Sequence, residues 1–309
     1  YLGFKFRRKI KHYQPDIIFS FLERSNTIAL DAAPPGCKVI VSVHNHLGYQ
    51  YKKYKRLKRG LVKYILRKKY NGKATKIIAV SQSIKENLQS EFGIQKDRII
   101  VINNAIDKEK ITTLSQKKII KTEPGEKTII NVGRAEYQKG QWKLLKAVSY
   151  LKTHYGRTDI KLTILGDGSY LPDLKNLAFQ LSVADQVQFL GFIQNPFPYL
   201  IAADLLVLPS IFEGFPVTVS EAAALDTAFV GSRTAIPKEI FQTPKQWENF
   251  TYSNTSTRPD FSTSILDDDI DLARLILKGL KNKKDLLAAG GRWVSANTEL
   301  SNFEKYCSL

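Results

Sequence analysis

The stretch Thr128-Ile-Ile-Asn-Val-Gly-Arg-Ala-Glu-Tyr-Gln-Lys-Gly140 decides the fold of this chain. Its first five residues favour a strand, and Gly133 then removes a side chain where the backbone has to turn tightly. A helical pattern follows over residues 139–155. Since a strand that turns into a helix begins a βαβ unit, the stretch predicts a parallel sheet with helices on both faces.

The same alternation of strands and helices runs through the chain twice. In the first half, strands are predicted at residues 16–20, 38–43, 76–80 and 98–102, and a helix at 81–92. In the second half, strands are predicted at 128–132, 161–165, 205–208 and 228–231, helices at 139–155, 171–181, 196–202, 216–225 and 268–280, and a loop at 251–264. The pattern predicts an α/β protein of two domains at 1–112 and 128–295, a linker at 113–127, and a final segment at 296–309 that can return to the first domain.

The composition limits the class of protein. The chain has 309 residues with 43% hydrophobic and 25% charged residues, which is typical of a soluble globular protein and excludes disordered and coiled-coil classes. No apolar run is long enough to cross a bilayer. The two cysteines, Cys37 and Cys307, match no metal spacing and suit a reducing cytosol. Because the chain starts at Tyr1 and contains no methionine, we expect a fragment whose first domain is incomplete and lacks its first strand.

The positive charge is concentrated in the first third of the chain. Residues 1–112 hold 24 Lys and Arg against 8 Asp and Glu, whereas residues 113–309 hold the other 23 against 21. Almost all of the net charge of +18 therefore lies in the first predicted domain. Such a split indicates a partner that is anionic: nucleic acid, a phosphorylated ligand or a lipid surface.

Residues 52–69 form the most basic segment. Ten of these residues are basic and none is acidic, and Leu57, Leu61, Tyr64 and Ile65 fall on one face of the predicted helix. The helix could pack this apolar face on the sheet, or it could lie on an anionic membrane surface. Nucleic-acid binding is a third interpretation, but no sequence signature of a nucleic-acid-binding module is present. The first two interpretations are compatible if different faces serve them.

Two cations flank the turn that follows the predicted strand at 128–132. Arg134 follows Gly133, and Lys139 lies five residues further on, where a helix is expected to open. Cations at this spacing can converge on one diphosphate beside a helix N-terminus, which itself favours anions.

Two carboxylates mark a second stretch. Glu213 precedes a predicted helix and Glu221 lies on it, so both can line one side of a pocket above the helix N-terminus. Gly214 allows the backbone to approach a ligand, and Pro216 suits the first helical turn. Carboxylates suit sugar hydroxyls because each oxygen accepts hydrogen bonds from two directions.

Taken together, these residues resemble the family 4 retaining glycosyltransferases of the GT-B type. The matching blocks are Gly133-Arg134…Lys139-Gly140, Gly166-Asp-Gly168, Leu190-Gly-Phe192, Ala203-Asp204…Leu208-Pro-Ser210, Glu213-Gly-Phe-Pro…Glu221-Ala222 and Pro237-Lys-Glu239-Ile240. In the first half, the matches are Pro15-Asp16, the strand that ends in His44, Ala79-Val-Ser81 and Asn103-Asn104-Ala105-Ile106-Asp107. The resemblance implies two Rossmann-like domains with a cleft between them. The chain departs from the family at Asp226, Thr227, Ala228 and Ile236 and throughout 242–264.

The resemblance also implies a role for each site residue. Arg134 and Lys139, beside Gly133, would neutralise the diphosphate of a nucleotide-sugar, and Glu221 would bind the ribose. Glu213 would hold the donor sugar, with Gly214 and the backbone N–H groups around Phe215, Pro216 and Val217 on the sugar or phosphate. Phe192 and Ile193 would meet the base, and His44, with His46 as the competing candidate, would face the donor sugar across the cleft.

The implied reaction is transfer of a hexose or N-acetylhexosamine, with retention, from a UDP-sugar to a lipid-linked or polysaccharide acceptor. It would need no metal or other cofactor, because the two cations stabilise the leaving diphosphate. We expect a cytoplasmic protein at the inner face of the membrane, held there through residues 52–69, with no nucleic-acid partner.

Several competing interpretations stay open. A metal-dependent transferase is suggested only by Ile265-Leu-Asp-Asp-Asp269, whose acids also suit a helix N-terminus. An NAD enzyme lacks its Gly-x-Gly-x-x-Gly motif. A non-catalytic sugar-nucleotide-binding protein and a basic binder of nucleic acid or anionic surfaces are the remaining alternatives.

Overall fold

A computed structural model of the chain describes residues 2–52, 54–256 and 258–308. It divides into two compact units. The first comprises Tyr1–Asn104 together with Asn302–Leu309, and the second comprises Ala105–Ser301. Each unit has its own parallel sheet flanked by helices, which confirms the predicted α/β class.

The first unit is built on a four-stranded sheet of order β1-β2-β3-β4, parallel throughout. Its strands are β1 (Ile17–Phe21), β2 (Lys38–Val43), β3 (Lys76–Ala79) and β4 (Ile99–Val101). Its helices are α1 (Leu2–Tyr13), α2 (Glu23–Ala32), α3 (Leu47–Lys52), α4 (Arg56–Lys73) and α5 (Gln82–Phe92). Ile40 and Val41, successive residues of β2, are 2% and 0% exposed, because the side chains of a central parallel strand meet packed helices on both faces.

The predicted signals at the ends of α5 are present. Ser81 Oγ accepts a hydrogen bond from the backbone N–H of Ile84, which caps the helix start. Gly93 ends the helix with a φ of +62°, a left-handed conformation that glycine adopts without steric cost.

The second unit contains a six-stranded parallel sheet of order β10-β9-β8-β5-β6-β7. Its strands are β5 (Lys127–Val132), β6 (Ile160–Leu165), β7 (Val187–Gly191), β8 (Leu205–Leu208), β9 (Phe229–Ser232) and β10 (Thr251–Tyr252). Its helices are α6 (Lys108–Ser115), α7 (Gln141–Tyr155), α8 (Leu171–Gln180), α9 (Phe197–Ala202), α10 (Val217–Ala224), α11 (Pro244–Asn249), α12 (Asp267–Lys281) and α13 (Lys283–Ala296), and α14 (Glu299–Cys307) begins in this unit. The strand order reverses direction between β5 and β8, and ligands of open α/β sheets bind outside the carboxyl ends of the strands at such a point.

The unit boundary differs from the domain boundary expected after residue 112. Helix α6 packs on α9 within the second unit, and Asn195 Nδ2 donates a 2.8 Å hydrogen bond to the carbonyl of Leu114. The first residues of the predicted linker at 113–127 therefore belong to the short helix α6, which ends at Ser115. At the other end of the chain, Asn302 Nδ2 donates to Asn103 O at 2.9 Å, and Tyr306 meets Phe19 edge to face within the first unit.

The basic segment at 52–69 is not one continuous helix. Helix α3 ends at Lys52 and α4 begins at Arg56, and Lys53 lies outside the described residues. The interpretation that Leu57, Leu61, Tyr64 and Ile65 pack on the sheet is wrong, because these side chains are 89%, 59%, 62% and 38% exposed. Helix α4 instead packs through Leu66 and Tyr70, which lie on a different face.

The segment predicted as a loop at 251–264 contains the short edge strand β10, which pairs with β9. The turn between α10 and β9, where the sequence departs from the family, has a left-handed residue at Asp226 with a φ of +52°. Aspartate tolerates this conformation better than most residues, so the turn forms without a glycine.

A buried ion pair anchors the rest of this segment. Lys143 on α7 and Asp268 at the start of α12 are each 1% exposed, and their charged atoms lie 2.7 Å apart. Asp268 also accepts hydrogen bonds from the backbone N–H groups of Thr255 and Ser256. The pair therefore fixes the polar loop, α7 and α12 together.

Replacement of Lys143 by Met should lower the free energy of unfolding of the second unit by about 3–5 kcal/mol, because it leaves the Asp268 charge buried without its partner. All three tryptophans lie in the second unit, so urea unfolding followed by tryptophan fluorescence measures this unit. Lys143→Met combined with Asp268→Asn should recover much of the loss. The control is Lys152→Met, whose partner Asp185 is 63% exposed, with an expected change of about 0.5 kcal/mol. Equal losses in Lys143→Met and the control would contradict the account.

Candidate functional site

The turn after β5 is shaped by close backbone contacts. Gly140 has a φ of +60°, and a Cβ atom there would lie 2.4 Å from the carbonyl oxygen of Pro209, which follows β8. A Cβ on Gly133 would lie 3.1 Å from Cδ and Cε of Lys139, so the lysine stem runs over this glycine. The turn is thus pressed against the loop after β8, at the reversal of strand order.

Lys139 and Glu213 meet in this crevice. Lys139 Nζ lies 2.6 Å from Glu213 Oε1, and the glutamate side chain is only 7% exposed. Residues 137–139 form a single 3₁₀ turn before α7, so Lys139 precedes the helix and does not open it as expected. The cation and the carboxylate expected from separate motifs therefore form one charge pair.

Gln138 was not predicted from the sequence as a site residue. Its Nε2 donates to Glu213 Oε2 at 3.0 Å and to the carbonyl of Phe212 at 3.1 Å. Both oxygens of Glu213 therefore accept a hydrogen bond within the unit, one from Lys139 and one from Gln138. The adjacency of Gln138 to Lys139 was the sequence signal that could have identified it.

The end of β9 and the loop that follows it hold the backbone of residues 210–213 in place. Ser232 Oγ and Thr234 Oγ1 both donate to the carbonyl of Ser210, at 2.6 and 3.0 Å. The backbone N–H of Glu213 donates to the carbonyl of Thr234 at 3.2 Å. Sequence reasoning missed these contacts because they join segments that are about twenty residues apart.

Arg134 lies on the same turn as Lys139, five residues earlier in the chain. It is exposed, lies two residues after the end of β5, and its guanidinium makes no hydrogen bond or ion pair with any described residue. An exposed guanidinium at the carboxyl end of a strand can bind phosphate in a bidentate fashion.

Glu221 lies on α10, in the second turn of the helix. Burial raises the pKa of its carboxyl from the ordinary value of 4.5. Across the described ranges, no donor is hydrogen bonded to the Glu221 carboxylate. Its two oxygens can therefore accept hydrogen bonds from a ligand.

The residues between the two glutamates differ in what they present. Val217 is 49% exposed at the start of α10, and Gly214 and the buried Pro216 lead into the helix. Phe215 is 6% exposed, and its ring stacks on Trp293 at a centroid distance of 5.2 Å. The Phe215 side chain therefore anchors the loop to α13.

Phe192 and Ile193 follow the end of β7. Phe192 is 77% exposed, and the preceding Gly191 accepts a 2.7 Å hydrogen bond from the N–H of Gly166 in the loop after β6. These residues lie at the same edge of the sheet as the other site residues, where an aromatic ring can stack on a base.

His44 and His46 belong to the first unit. His44 directly follows β2, its Nε2 lies 3.0 Å from Ser42 Oγ, and burial lowers its pKa below 6.5. The ring of His46 packs against Tyr49 at 4.7 Å, and burial also lowers its pKa. Both imidazoles are therefore favoured in the neutral form. Their roles stay predictions.

The acidic residues Asp267–Asp269 form the first turn of α12. Asp268 pairs with Lys143, and Asp269 Oδ2 accepts a 2.9 Å hydrogen bond from the N–H of Leu266. Within residues 2–52, 54–256 and 258–308, no three His, Cys, Asp or Glu side chains are grouped to hold a metal ion.

Family comparisons cover both halves of the chain. Residues 1–110 match the model described as glycosyltransferase family 4, and residues 113–251 match that of glycosyl transferases group 1. One relative from Campylobacter jejuni is 31% identical to this chain over 230 residues, which are 74% of this chain and 61% of the relative. It is the N-acetylgalactosamine-N,N'-diacetylbacillosaminyl-diphospho-undecaprenol 4-alpha-N-acetylgalactosaminyltransferase. A second relative, from Escherichia coli, is 30% identical to this chain over 48% of this chain and 40% of the relative. It is the UDP-Gal:alpha-D-GlcNAc-diphosphoundecaprenol alpha-1,3-galactosyltransferase. The chain thus spans about three fifths or less of the length of these relatives.

Solved structures share the fold. HepE of Anabaena, in complex with UDP, superposes on this chain with a TM-score of 0.77 at 16% sequence identity. The match covers 99% of this chain and 81% of the HepE chain. WaaG, a glycosyltransferase involved in lipopolysaccharide biosynthesis, has a TM-score of 0.66 at 16% sequence identity, and the match covers 97% of this chain and 79% of the WaaG chain.

The raised pKa of Glu221 predicts a pH-dependent stability difference. A carboxyl whose pKa is raised in the folded state stabilises the fold below its unfolded pKa and loses that contribution as the pH rises through the folded value. The stability of Glu221→Gln relative to the wild type should therefore increase as the pH rises above 4.5, and it should level off once the pH exceeds the folded pKa of Glu221. Urea unfolding at a series of pH values, followed by tryptophan fluorescence, measures this difference. A difference that does not vary with pH would contradict the burial account.

Proposed function

Because this chain belongs to the family 4 glycosyltransferases of the GT-B type, we propose that it transfers a hexose or N-acetylhexosamine from a UDP-sugar to a lipid-linked or polysaccharide acceptor. The observation that carries the proposal is the Lys139–Glu213 pair, on the turn that also carries the exposed Arg134, at the reversal of strand order in the second sheet. The relatives that act on diphosphoundecaprenol-linked sugars support the acceptor class.

The two cations act on the leaving group. Arg134 binds the diphosphate directly, and Lys139 contributes the second positive charge while it remains next to Glu213. Charges fixed in position before the reaction stabilise the developing negative charge without reorganisation. The donor half of the reaction then needs no metal ion.

Glu221 binds the ribose. The two oxygens of its carboxylate accept hydrogen bonds from neighbouring hydroxyls, which matches the 2′ and 3′ hydroxyls of a nucleoside. Glu213, held by Gln138 and Lys139, orients the donor sugar, and Phe192 and Ile193 border the base.

The transfer proceeds with retention, as the family resemblance implies, and the hydrogen bonds to Glu213 favour a route without a covalent intermediate. A nucleophilic carboxylate needs a free oxygen near the anomeric carbon, whereas both Glu213 oxygens accept hydrogen bonds. The acceptor hydroxyl attacks the anomeric carbon on the face that the diphosphate leaves. A bond forms from the acceptor oxygen to the anomeric carbon, the bond to the diphosphate oxygen breaks with its electron pair, and a phosphate oxygen takes the hydroxyl proton.

A peripheral membrane site on α4 belongs to the same proposal. The exposed Leu57, Leu61 and Tyr64 form an apolar stripe on a helix rich in Lys and Arg, and Lys58 Nζ lies 4.5 Å from the ring centre of Tyr54. An apolar stripe bordered by cations suits the headgroup region of an anionic bilayer. Of the helices that the structure describes, none has the length and apolarity needed to cross a bilayer. This surface would place the protein at the cytoplasmic face of the membrane, next to a lipid-linked acceptor.

The donor site is tested by UDP binding and by turnover of UDP-sugars in the presence of EDTA. Arg134→Ala should lower kcat roughly 100-fold or more, because it removes transition-state charge stabilisation. Glu221→Ala should weaken UDP binding by about 2 kcal/mol, or roughly 30-fold. Lys175→Ala on α8, away from the strand ends, is the control. UDP binding without turnover of any sugar would favour the non-catalytic alternative, and unchanged kinetics in both site variants would reject the site.

The membrane site is tested by sedimentation with vesicles that contain phosphatidylglycerol. Reversal of Lys55, Arg56, Lys58 and Arg59 to Glu should lower partitioning roughly 100-fold or more, since each basic residue contributes about 1 kcal/mol. Leu57→Ser with Leu61→Ser should also lower it. The controls are Lys281→Glu with Lys284→Glu for charge and Phe179→Ser for an exposed apolar side chain elsewhere. Equal binding by the α4 variants and their controls would remove the membrane assignment.

A further inference from the structure

The turn at residues 133–140 is held from two sides. Its end at Gly140 is pressed against the loop after β8, and its beginning is joined to the loop after β6 at residues 166–170. Because the strand order is β8-β5-β6, the turn lies between these two loops. A contact with the loop after β6 therefore acts on the same segment that carries Arg134.

The backbones of the turn and of the loop after β6 are tightly joined. The N–H of Ala135 donates to the carbonyl of Asp167 at 3.0 Å, and the N–H of Tyr170 donates to the carbonyl of Ala135 at 2.9 Å. A Cβ atom on Gly168 would collide with the Ala135 carbonyl, so the two segments approach this closely because residue 168 is a glycine. Both backbone polar groups of Ala135 are thus used within the unit, directly after Arg134.

The side chain of Glu136 forms a further contact between the two segments. Its Oε1 accepts a hydrogen bond from the backbone N–H of Ser169 at 3.1 Å, and its Oε2 accepts one from the Ser169 hydroxyl at 3.0 Å. Hydrogen bonds to a carboxylate are stronger than those between neutral groups. A single serine therefore binds both carboxylate oxygens of Glu136.

This acid lies close to the cations that the diphosphate needs. Glu136 follows Arg134 by two residues, and its N–H donates to the Arg134 carbonyl at 2.8 Å, so the two residues are folded close together. Across the described ranges, neither Lys nor Arg forms an ion pair with Glu136, and Lys139 is paired with Glu213 instead.

A released Glu136 carboxylate would compete with a ligand for Arg134. The planar fork of N–H donors on a guanidinium matches a carboxylate as well as it matches a phosphate. The contact that holds Glu136 in the loop after β6 therefore also keeps the Arg134 guanidinium open to a ligand.

We propose that Glu136 and Ser169 are positioning residues for Arg134. The N–H and the hydroxyl of Ser169 hold the Glu136 carboxylate away from the guanidinium, which stays free to bind the diphosphate of the donor. The diphosphate as the ligand rests on the proposed function. The competition between Ser169 and Arg134 for the Glu136 carboxylate is a property of the free protein and does not.

The competition is tested in the free protein by the Nε–H NMR signal of Arg134, in the whole chain with isotopically labelled arginine. The variant Arg134→Lys lacks this signal and assigns it. Ser169→Ala removes one of the two donors to Glu136, so the carboxylate should pair with Arg134 and slow the exchange of the Nε proton with water about twofold to fivefold, the range of an exposed ion pair. Ser169→Ala combined with Glu136→Gln should exchange as the wild type does.

The effect on the ligand is measured by calorimetry with UDP and with uridine, which lacks the phosphates. Ser169→Ala should weaken UDP binding about twofold to fivefold and leave uridine binding unchanged, because only the diphosphate competes with Glu136 for Arg134. Addition of Glu136→Gln should restore the UDP affinity, since the amide carries no charge. In the Arg134→Ala background, Ser169→Ala should have no further effect.

The control is Glu126→Gln, which removes a carboxylate that lies 3.7 Å from Lys161 beside the start of β5, at the opposite edge of the sheet. This variant should bind UDP as the wild type does. A merely structural role of Ser169 would weaken UDP and uridine binding alike, and Glu136→Gln would then restore neither.

That pattern would overturn the proposal, as would equal UDP losses with and without the Arg134 guanidinium, or wild-type proton exchange and UDP affinity in Ser169→Ala. Absence of UDP binding in the wild type would instead count against the proposed function. The Nε proton exchange would then still decide whether Ser169 keeps Glu136 away from Arg134.

Discussion

The contact between Lys139 and Glu213 organises the second unit. The two side chains belong to loops that follow β5 and β8, and the loops are close enough for the contact only because Gly133 and Gly140 carry no side chain. Because Glu213 is only 7% exposed, removal of Lys139 would leave the carboxylate poorly solvated and without its charge partner. The contact between Lys139 and Glu213 therefore defines the crevice, and it maintains the shape of the crevice when no substrate is bound.

Helix α7, which follows the Lys139 turn, is also held in place by ion pairs. Lys143 and Lys146 are each 1% exposed and pair with Asp268 and Asp260. Both acids lie on or next to the segment that departs from the family pattern. The helix that begins two residues after Lys139 is thus attached by charge to the least regular part of the unit, so that this part supports the site although its sequence has diverged.

Much of this arrangement could be predicted from the sequence, since it depends on local patterns. The strand at Lys38–Val43 was predicted with its observed bounds, and the two-domain α/β class is confirmed. The motifs around Lys139 and Glu213 predicted residues that the structure brings into contact. Local periodicity could not show which face of α4 meets the sheet, because that depends on the neighbours of Leu66 and Tyr70.

The residues that escaped prediction have long-range partners. Gln138 carries no motif of its own, and its importance follows only from the distance to Glu213. Glu136 lies between the two cations in sequence, and only the contact between the loops after β5 and β6 shows that it binds Ser169. Sequence patterns identify groups that act through their own elements, whereas groups that act across elements need the coordinates.

The left-handed Asp226 has a consequence for the evolution of the chain. A residue with a φ of +52° can be exchanged for glycine or asparagine with little steric penalty, whereas valine, isoleucine or threonine would force the α10–β9 connection to distort. Random mutagenesis should therefore recover a narrow set of amino acids at this turn, even though it lies outside the ligand crevice. The turn imposes a backbone requirement that an aspartate, and not a glycine, meets in this chain.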